Sequence, residues 1–418
     1  MFVLILFTIL LAIGVPIGIS TGMSAMLFMH FEAGRSYGSI IQAMFSGVDS
    51  FALMAIPFFI FAGDIMLKGG VSKRLIDFAK KLIGWTNGGL PITGVISSMF
   101  FAALSGSAPA TVAAIGGIMI PSMEEAKYEK RFAVGLMCAS GSLGIIIPPS
   151  ITLLVYGVIS EQSIAQLFLA GIVPGILIGL VLMIAAYFIS RKQPYEKEPF
   201  PHFKEVLHSL RKSFWGLMMP LIVLGGIYLG VFTPTESAAV AVVYSLAVSL
   251  FVYKELKLSE VMAIARKSVT ISAVIMFIIA NATVLSRYLT FRKVPTMLAE
   301  FILQYASTPF TLLLFINLLL LVVGMIMDPS AAVTILAPLF LPAVMALGVN
   351  PIHFGVIMIV NLAIGMVTPP FGLNLYVASG ISKMSVSQVT RAVLPFMALL
   401  LGALMLITYI PQLSLMFL

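Results

Sequence analysis

The chain has 418 residues, of which 60% are hydrophobic and only 10% charged, so it is not a soluble globular protein. A single cysteine, Cys138, excludes an intramolecular disulfide and reads as a small packing residue. Four scattered histidines (His30, His202, His208 and His353) form no metal-ligand pattern, and the net charge of +8 raises nucleic acid as a partner only until the charges are placed along the chain.

Apolar runs long enough to cross a bilayer recur throughout. The first, 2–30, starts at Phe2 with no Lys or Arg before it and so lacks the basic region of a cleaved signal peptide. It is divided at Gly14-Val15-Pro16. The stretch from Gly14-Val15 to Phe28 resembles that from Gly230-Val231 to Tyr244, where the turn Thr233-Pro234-Thr235 separates two clear spans, so two short helices are expected. Residues 31–49 read as a connection and 50–67 as a span. Between Gly70 and Trp85, Val71, Leu75, Phe78, Ala79 and Leu82 recur at helical spacing opposite Lys73, Arg74, Lys80 and Lys81. That is the pattern of an amphipathic helix lying at the membrane surface, and 294–305 looks like its partner.

Residues 91–121 are apolar but interrupted at Ser105-Gly-Ser-Ala-Pro-Ala-Thr111. Arms of about 13 residues are too short to span, so a re-entrant helical hairpin is expected there. A second hairpin, about 310–344, turns at Met327-Asp328-Pro329-Ser330. After each comes a long apolar segment broken in the middle (about 132–160 and 352–380), then a plain span (164–190 and 387–410).

The breaks are the most informative stretches. Gly141-Ser-Leu-Gly-Ile-Ile-Ile-Pro-Pro-Ser150 places two prolines, which lack amide hydrogens, inside a would-be span. Ile364-Gly-Met-Val-Thr-Pro-Pro370 repeats the device at a constant offset of 221 (365 − 144, 369 − 148), and Pro121 and Pro342 keep that offset. Single proline kinks are common in membrane helices. A matched pair in two halves instead points to a secondary transporter's binding site.

The expected fold is an all-α polytopic membrane protein of two inverted-topology repeats, each with about five membrane spans and one re-entrant hairpin. Residues 1–190 form the first repeat, 191–213 a cytoplasmic linker and 214–418 the second. Five spans is an odd number, which inverts the second half. If the linker is cytoplasmic, so are the connections 68–90, 122–131, 254–267 and the 381–391 region, which puts 20 of the 24 basic residues on that side, with only Arg35, Arg287, Arg292 and Lys293 outside. This is the positive-inside bias, and it disposes of nucleic acid. Both termini then face the periplasm.

At the first hairpin tip, Ser105, Gly106, Ser107, Ala108, Pro109 and Thr111 offer hydroxyls and a helix start whose free amides suit a substrate carboxylate; Asn374 joins them as a substrate ligand. Carbonyls freed at membrane depth suit Na⁺, with Ser105, Ser107, Gly141, Ser142, Gly144 and Pro148 on one side and Gly324, Asp328, Gly365 and Thr368 on the other. Asp328 reads either as the N-cap of the second hairpin arm or as an ion ligand. Asp64, in a span, is expected to snorkel or to pair with a basic residue. Asn281 and Asn317 read as interhelical glue, and Asn361 faces the second break. Near the periplasmic face, Glu161, Glu236, Arg287, Arg292 and Lys293 read as anchors for a soluble partner, and Arg287, Arg292 and Lys293 alternatively as fixing the surface helix at the headgroups. No nucleophile–base set or phosphate-binding loop is visible, so no enzyme is expected.

Four motifs together, Ile56-Pro-Phe-Phe-Ile-Phe-Ala-Gly63, Ser105–Thr111, Gly144-Ile-Ile-Ile-Pro-Pro-Ser150 and Gly365-Met-Val-Thr-Pro-Pro-Phe-Gly-Leu-Asn374, resemble the large, DctM-like membrane subunit of TRAP transporters over essentially the whole chain. The resemblance implies an elevator-type importer in a bacterial inner membrane, co-transporting two or more Na⁺ ions with an organic acid of the C4-dicarboxylate or sialic acid type. It also implies two partners, a small four-helix membrane subunit and a soluble periplasmic substrate-binding protein. A stand-alone Na⁺/carboxylate symporter of the divalent-anion type shares the hairpin plan but carries Ser-Asn-Thr at both tips, which this chain does not.

Overall fold

The computed structural model describes residues 2–191, 199–305 and 308–418, and every regular element among them is a helix. Among the described residues, eight helices are long and apolar enough to cross a membrane, and four shorter helices are also apolar. The chain is therefore an all-helical, multi-pass membrane protein.

Local chemistry explains most boundaries. Helix Phe2–Ala12 stops at Gly14, whose φ of 86° suits only glycine, and Pro16 precedes the start of Ile17–Phe31. Thr233 begins Pro234–Ala247 with a capping box: its hydroxyl accepts the Glu236 amide at 3.3 Å, and its own amide donates to Glu236 Oε2 at 2.8 Å. The surface helix Val71–Ile83 buries Val71, Leu75, Phe78 and Ala79, the face its spacing marks.

Four expectations are corrected. Residues 31–49 are not a plain connection, because Tyr37–Val48 is a helix capped by Ser36, whose hydroxyl accepts the Ser39 amide. It packs on the helix Leu258–Phe291, and a Cβ at Gly47 would lie 2.4 Å from Thr283 Oγ1. The linker is shorter than 191–213: helix Phe203–Tyr228 takes in its second half, while 192–198 lie outside the described residues. Residues 258–267, read as part of a cytoplasmic connection, are the first turns of the 34-residue helix Leu258–Phe291. At about 1.5 Å per residue it is ~51 Å long, more than a bilayer core is thick.

The hairpin arms are also longer than expected. The first runs Gly89–Ser105 and then, through a π-helical turn at Val112–Gly116, from Ala108 to Glu125; the second is Pro309–Ile326 and Pro329–Ala346. Pro91 sits in a first turn, where its missing amide hydrogen has no helical partner, so it does not end the arm. Length alone would let such arms span. Their turns, Gly106-Ser107 and Met327-Asp328, instead lie beside the breaks, with Gly106 close to Pro149 and Gly324 close to Gly365.

Backbone-to-backbone contacts hold tips and breaks together. A Cβ on Gly144 would lie 2.4 Å from the Ser107 carbonyl oxygen, and one on Gly365 would lie 2.6 Å from Gly324 Cα. Each break is a helix end, an irregular turn through a cis Pro-Pro bond, and a restart: Lys130–Gly141 to Ile151–Ile159, and Pro351–Gly365 to Leu373–Ser382. The two hairpins, the breaks and the last long helix, Val386–Tyr409, share one hydrophobic core. A second, smaller one joins the first three helices to Leu258–Phe291.

Gly365→Ala forces these backbones apart and should cost about 1–3 kcal/mol, read as a lower melting temperature in detergent. Gly402→Ala, where a Cβ meets nothing within 4 Å, should leave it unchanged or raised. Equal effects at the two positions would contradict the contact.

Candidate functional site

The first hairpin turns because Gly106 takes φ 58° and ends the Gly89–Ser105 helix, its amide donating to Ala102 O. Ser107 is extended, and a new helix starts at Ala108 with Pro109 in its first turn. The tip is knitted by hydroxyls. Ser105 Oγ lies 3.2 Å from Thr111 Oγ1, which in turn donates to the Ser107 carbonyl at 2.9 Å. Beside it, the break leaves carbonyls without helical donors, because proline has no amide hydrogen. Four residues after Gly144 and Ile145 come Pro148 and Pro149, so neither carbonyl has a helical donor. Ile145 O is served instead by the Ser150 hydroxyl at 2.6 Å. The Ile147 amide goes to Leu143 O, and Gly144 O has no donor among the described residues. Ser142 is buried with its hydroxyl turned back to Ala139 O, and Gly141 packs on Val112 and Ala108.

The second tip follows the same plan with different chemistry. The offset of 221 carries Ser107 to Asp328, and both residues are N-caps of second hairpin arms. Asp328 Oδ1 accepts the amides of Ser330 (2.9 Å) and Ala331 (3.4 Å), so it is the helix cap; it is also exposed in the wall of a cavity. At the second break the Gly365 carbonyl accepts the Thr368 amide at 3.0 Å, and Met366 O accepts the Asn374 amide at 3.0 Å. This break is more self-satisfied than the first. Thr368 donates its hydroxyl hydrogen to Ile364 O at 2.7 Å, and the oxygen keeps lone pairs to offer.

The tips converge. A cavity of about 360 Å³ is lined by Ser107, Pro109, Asp328 and Ser330, by Ile145 and Met366 of the breaks, and by Thr270 and Ile271 of the long helix. A second, of about 370 Å³, shares Ser107, Pro109 and Ile271 and runs to Asp64 and Lys267. These are two chambers of one cleft between the hairpins and the helix Leu258–Phe291. At its far end Asp64 is paired, as its burial in a span requires: Lys267 Nζ donates to Oδ1 at 2.9 Å and Ser268 Oγ to Oδ2 at 3.0 Å. Lys267 and Thr270 were missed by sequence reading because they belong to the unforeseen first turns of that helix.

Asn374 lies away from both chambers. It is fully buried on a helix against the first hairpin's second arm and the helix Lys130–Gly141, and neither of its amide atoms has a partner among the described residues. Asn361 donates to Asn317 Oδ1 at 2.8 Å, and Asn317 donates to Thr408 Oγ1 at 3.0 Å, a polar chain across three helices that includes the expected Asn317 glue. Asn281 instead donates within its own helix, to Phe277 O.

Of the five candidate docking charges, three are already engaged. Glu236 closes the capping box, Arg287 donates to Ser46 Oγ at 2.8 Å, and Arg292 lies 3.8 Å from Glu32, which also accepts the Tyr288 hydroxyl. Glu32 was missed because its partners are more than 250 residues away. Glu161 and Lys293 are exposed.

Comparison with known proteins finds one family, described as "Tripartite ATP-independent periplasmic transporter, DctM component", matching residues 4–413. A Vibrio cholerae protein named "C4-dicarboxylate TRAP transporter large permease protein DctM" is 44% identical, over 97% of this chain and 94% of its own. The same organism's "Sialic acid TRAP transporter large permease protein SiaM" is 39% identical, over 97% and 95%. Among solved structures, the Alcanivorax borkumensis YdaH transporter superposes with a TM-score of 0.63 at 15% identity, over 87% of this chain and 86% of that one, a likeness of fold alone.

An unpaired buried amide costs about 1–3 kcal/mol, and an apolar residue of similar shape removes that cost. Asn374→Leu should therefore hold or raise the melting temperature of the ligand-free protein. A clear fall would mean that the amide has a partner, such as a bound water or ion.

Proposed function

The chain belongs to the DctM family of tripartite ATP-independent periplasmic transporters, and from that membership we propose that it imports an organic acid together with Na⁺ across a bacterial inner membrane. Membership of a tripartite family sets aside the stand-alone symporter. A C4-dicarboxylate and sialic acid are the candidate substrates, after relatives named for them that are 44% and 39% identical; a relative named for isethionate, 43% identical, falls between. A soluble periplasmic protein delivers the acid, and a small four-helix subunit completes the membrane part. Both termini face the periplasm, following the charge bias.

The observation that carries this reading is the convergence of two hairpin tips on one cleft. An anion and a cation find different partners there. The start of the helix at Ala108, with the Ser107 hydroxyl beside it, suits a carboxylate. Asp328 would repel a carboxylate and attract a cation, which puts it on the Na⁺ side with Gly324, Gly365 and Thr368. Ser105, Ser107, Gly141, Ser142, Gly144 and Pro148 frame the other Na⁺ position, where the Gly144 carbonyl offers a ligand. Hairpins and breaks move as one body, held by the glycine contacts, against the long helix Leu258–Phe291. Residues 1–190 and 214–418 form the inverted repeats. The second chamber, ending at Lys267 on the basic side, serves as the cytoplasmic exit.

Asp328→Asn keeps the cap, since Asn caps as well as Asp, but removes the charge. We expect half-saturation by Na⁺ in proteoliposome uptake to rise about tenfold for Asp328→Asn and to rise also for Thr368→Val. Unchanged Na⁺ titrations in both would remove those side chains from the site and leave only carbonyls.

Lys293 is the cleanest docking candidate because it is exposed and outside the Glu32 cluster. Lys293→Glu should reduce uptake that depends on the binding protein, more at low salt than at high, and a reversed charge on that partner should restore part of it. Normal uptake at every salt concentration would place the docking face elsewhere.

A further inference from the structure

We propose that the pocket between the surface helix Val71–Ile83 and the first turns of Phe203–Tyr228 binds the headgroup of an anionic phospholipid. Among the described residues, the pocket, about 630 Å³, is walled by Lys80, Lys81, Lys204 and Lys212 and by the carboxylates of Asp77 and Glu205. Lys81 Nζ lies 2.8 Å from Glu205 Oε2. Lys204, His208 and Lys212 recur every four residues and so share one face of their helix, turned to this pocket. Counted over these described residues, four lysines against two carboxylates leave the walls formally positive. They suit a phosphate.

The pocket is built rather than accidental. Ser213 donates to the Arg74 carbonyl at 2.7 Å, tying the two helices at its edge. Tyr253 donates to Lys212 O at 3.0 Å and accepts the Gly216 amide at 3.1 Å, while the Arg74 guanidinium lies 3.9 Å from the centre of its ring. These contacts fix where Lys204 and Lys212 stand.

What favours a lipid over a soluble anion is the apolar skirt. Trp85, Phe200, Phe203, Leu207, Phe214 and Trp215 are all exposed on the same two segments, and Trp85 meets Phe200 edge to face at 4.9 Å. Exposed aromatics of this kind sit at the membrane interface. A basic pocket at that level, with apolar surface leading away from it, receives a phosphate headgroup and its acyl chains together.

Trp85 and Trp215 are the only tryptophans in the chain, so its tryptophan emission reports on this region. The full chain is reconstituted in vesicles doped with phosphatidylglycerol or phosphatidylcholine carrying brominated acyl chains, and quenching is compared at equal mole fraction. The anionic lipid should quench with a relative association constant about fivefold higher or more. Lys204→Glu/Lys212→Glu should bring that ratio to about one, and the milder Lys204→Gln/Lys212→Gln should lower it. Lys73→Glu, an exposed basic residue outside the pocket, should leave it unchanged. Equal quenching by both lipids in the unaltered chain overturns the proposal. So does an equal loss in Lys73→Glu, which would mean a general surface charge effect. Release of the brominated lipid by millimolar inorganic phosphate would assign the pocket to a soluble anion instead.

Discussion

At Gly144 and Gly365 two helices meet with no side chain between them, and the architecture around the cleft depends on that closeness. A break in a membrane helix exposes carbonyls and amides that hydrocarbon cannot satisfy. The protein covers each break with the other irregular element it owns, a hairpin. Gly144 lets the first break reach the Ser107 carbonyl, and Gly365 lets the second reach Gly324. Two pieces of backbone that would be unstable alone shelter one another. Their remaining polar groups are gathered at one place, the cleft beside Leu258–Phe291.

The two halves share this plan but divide the chemistry. The same offset that pairs the glycines sets Ser107 opposite Asp328, a neutral cap at one tip and an anionic one at the other. The first break leaves a carbonyl without a donor, whereas the second uses Thr368 and Asn374 amides to satisfy its own. A symmetric scaffold thus carries an asymmetric site.

The breaks were legible in the sequence because their cause is local: proline has no amide hydrogen, and no packing can supply one. The surface helix was legible because its apolar and basic residues separate at helical spacing. What escaped was decided by distant contacts. Tyr37–Val48 is held by packing on Leu258–Phe291, with Gly47 against Thr283, which no local pattern announces. The long helix begins in charged turns that read as a loop, so Lys267 and Thr270 were not seen at the cleft. Arg292 looked free until Glu32 and Tyr288 were found beside it. Asn374, placed by its motif among the substrate ligands, lies buried behind the cleft instead of in it.

The central claim is that the hairpins move against the long helix along this cleft. Ala110 of the first hairpin and Ile275 of the long helix both line the second chamber. With the single native thiol removed by Cys138→Ala, Ala110→Cys and Ile275→Cys can be joined by a reducible bifunctional thiol reagent, and uptake measured in proteoliposomes with the partner proteins. Movement predicts that cross-linking abolishes uptake and that reduction restores it, while either single cysteine with the same reagent retains transport. Full uptake by the cross-linked protein would contradict it.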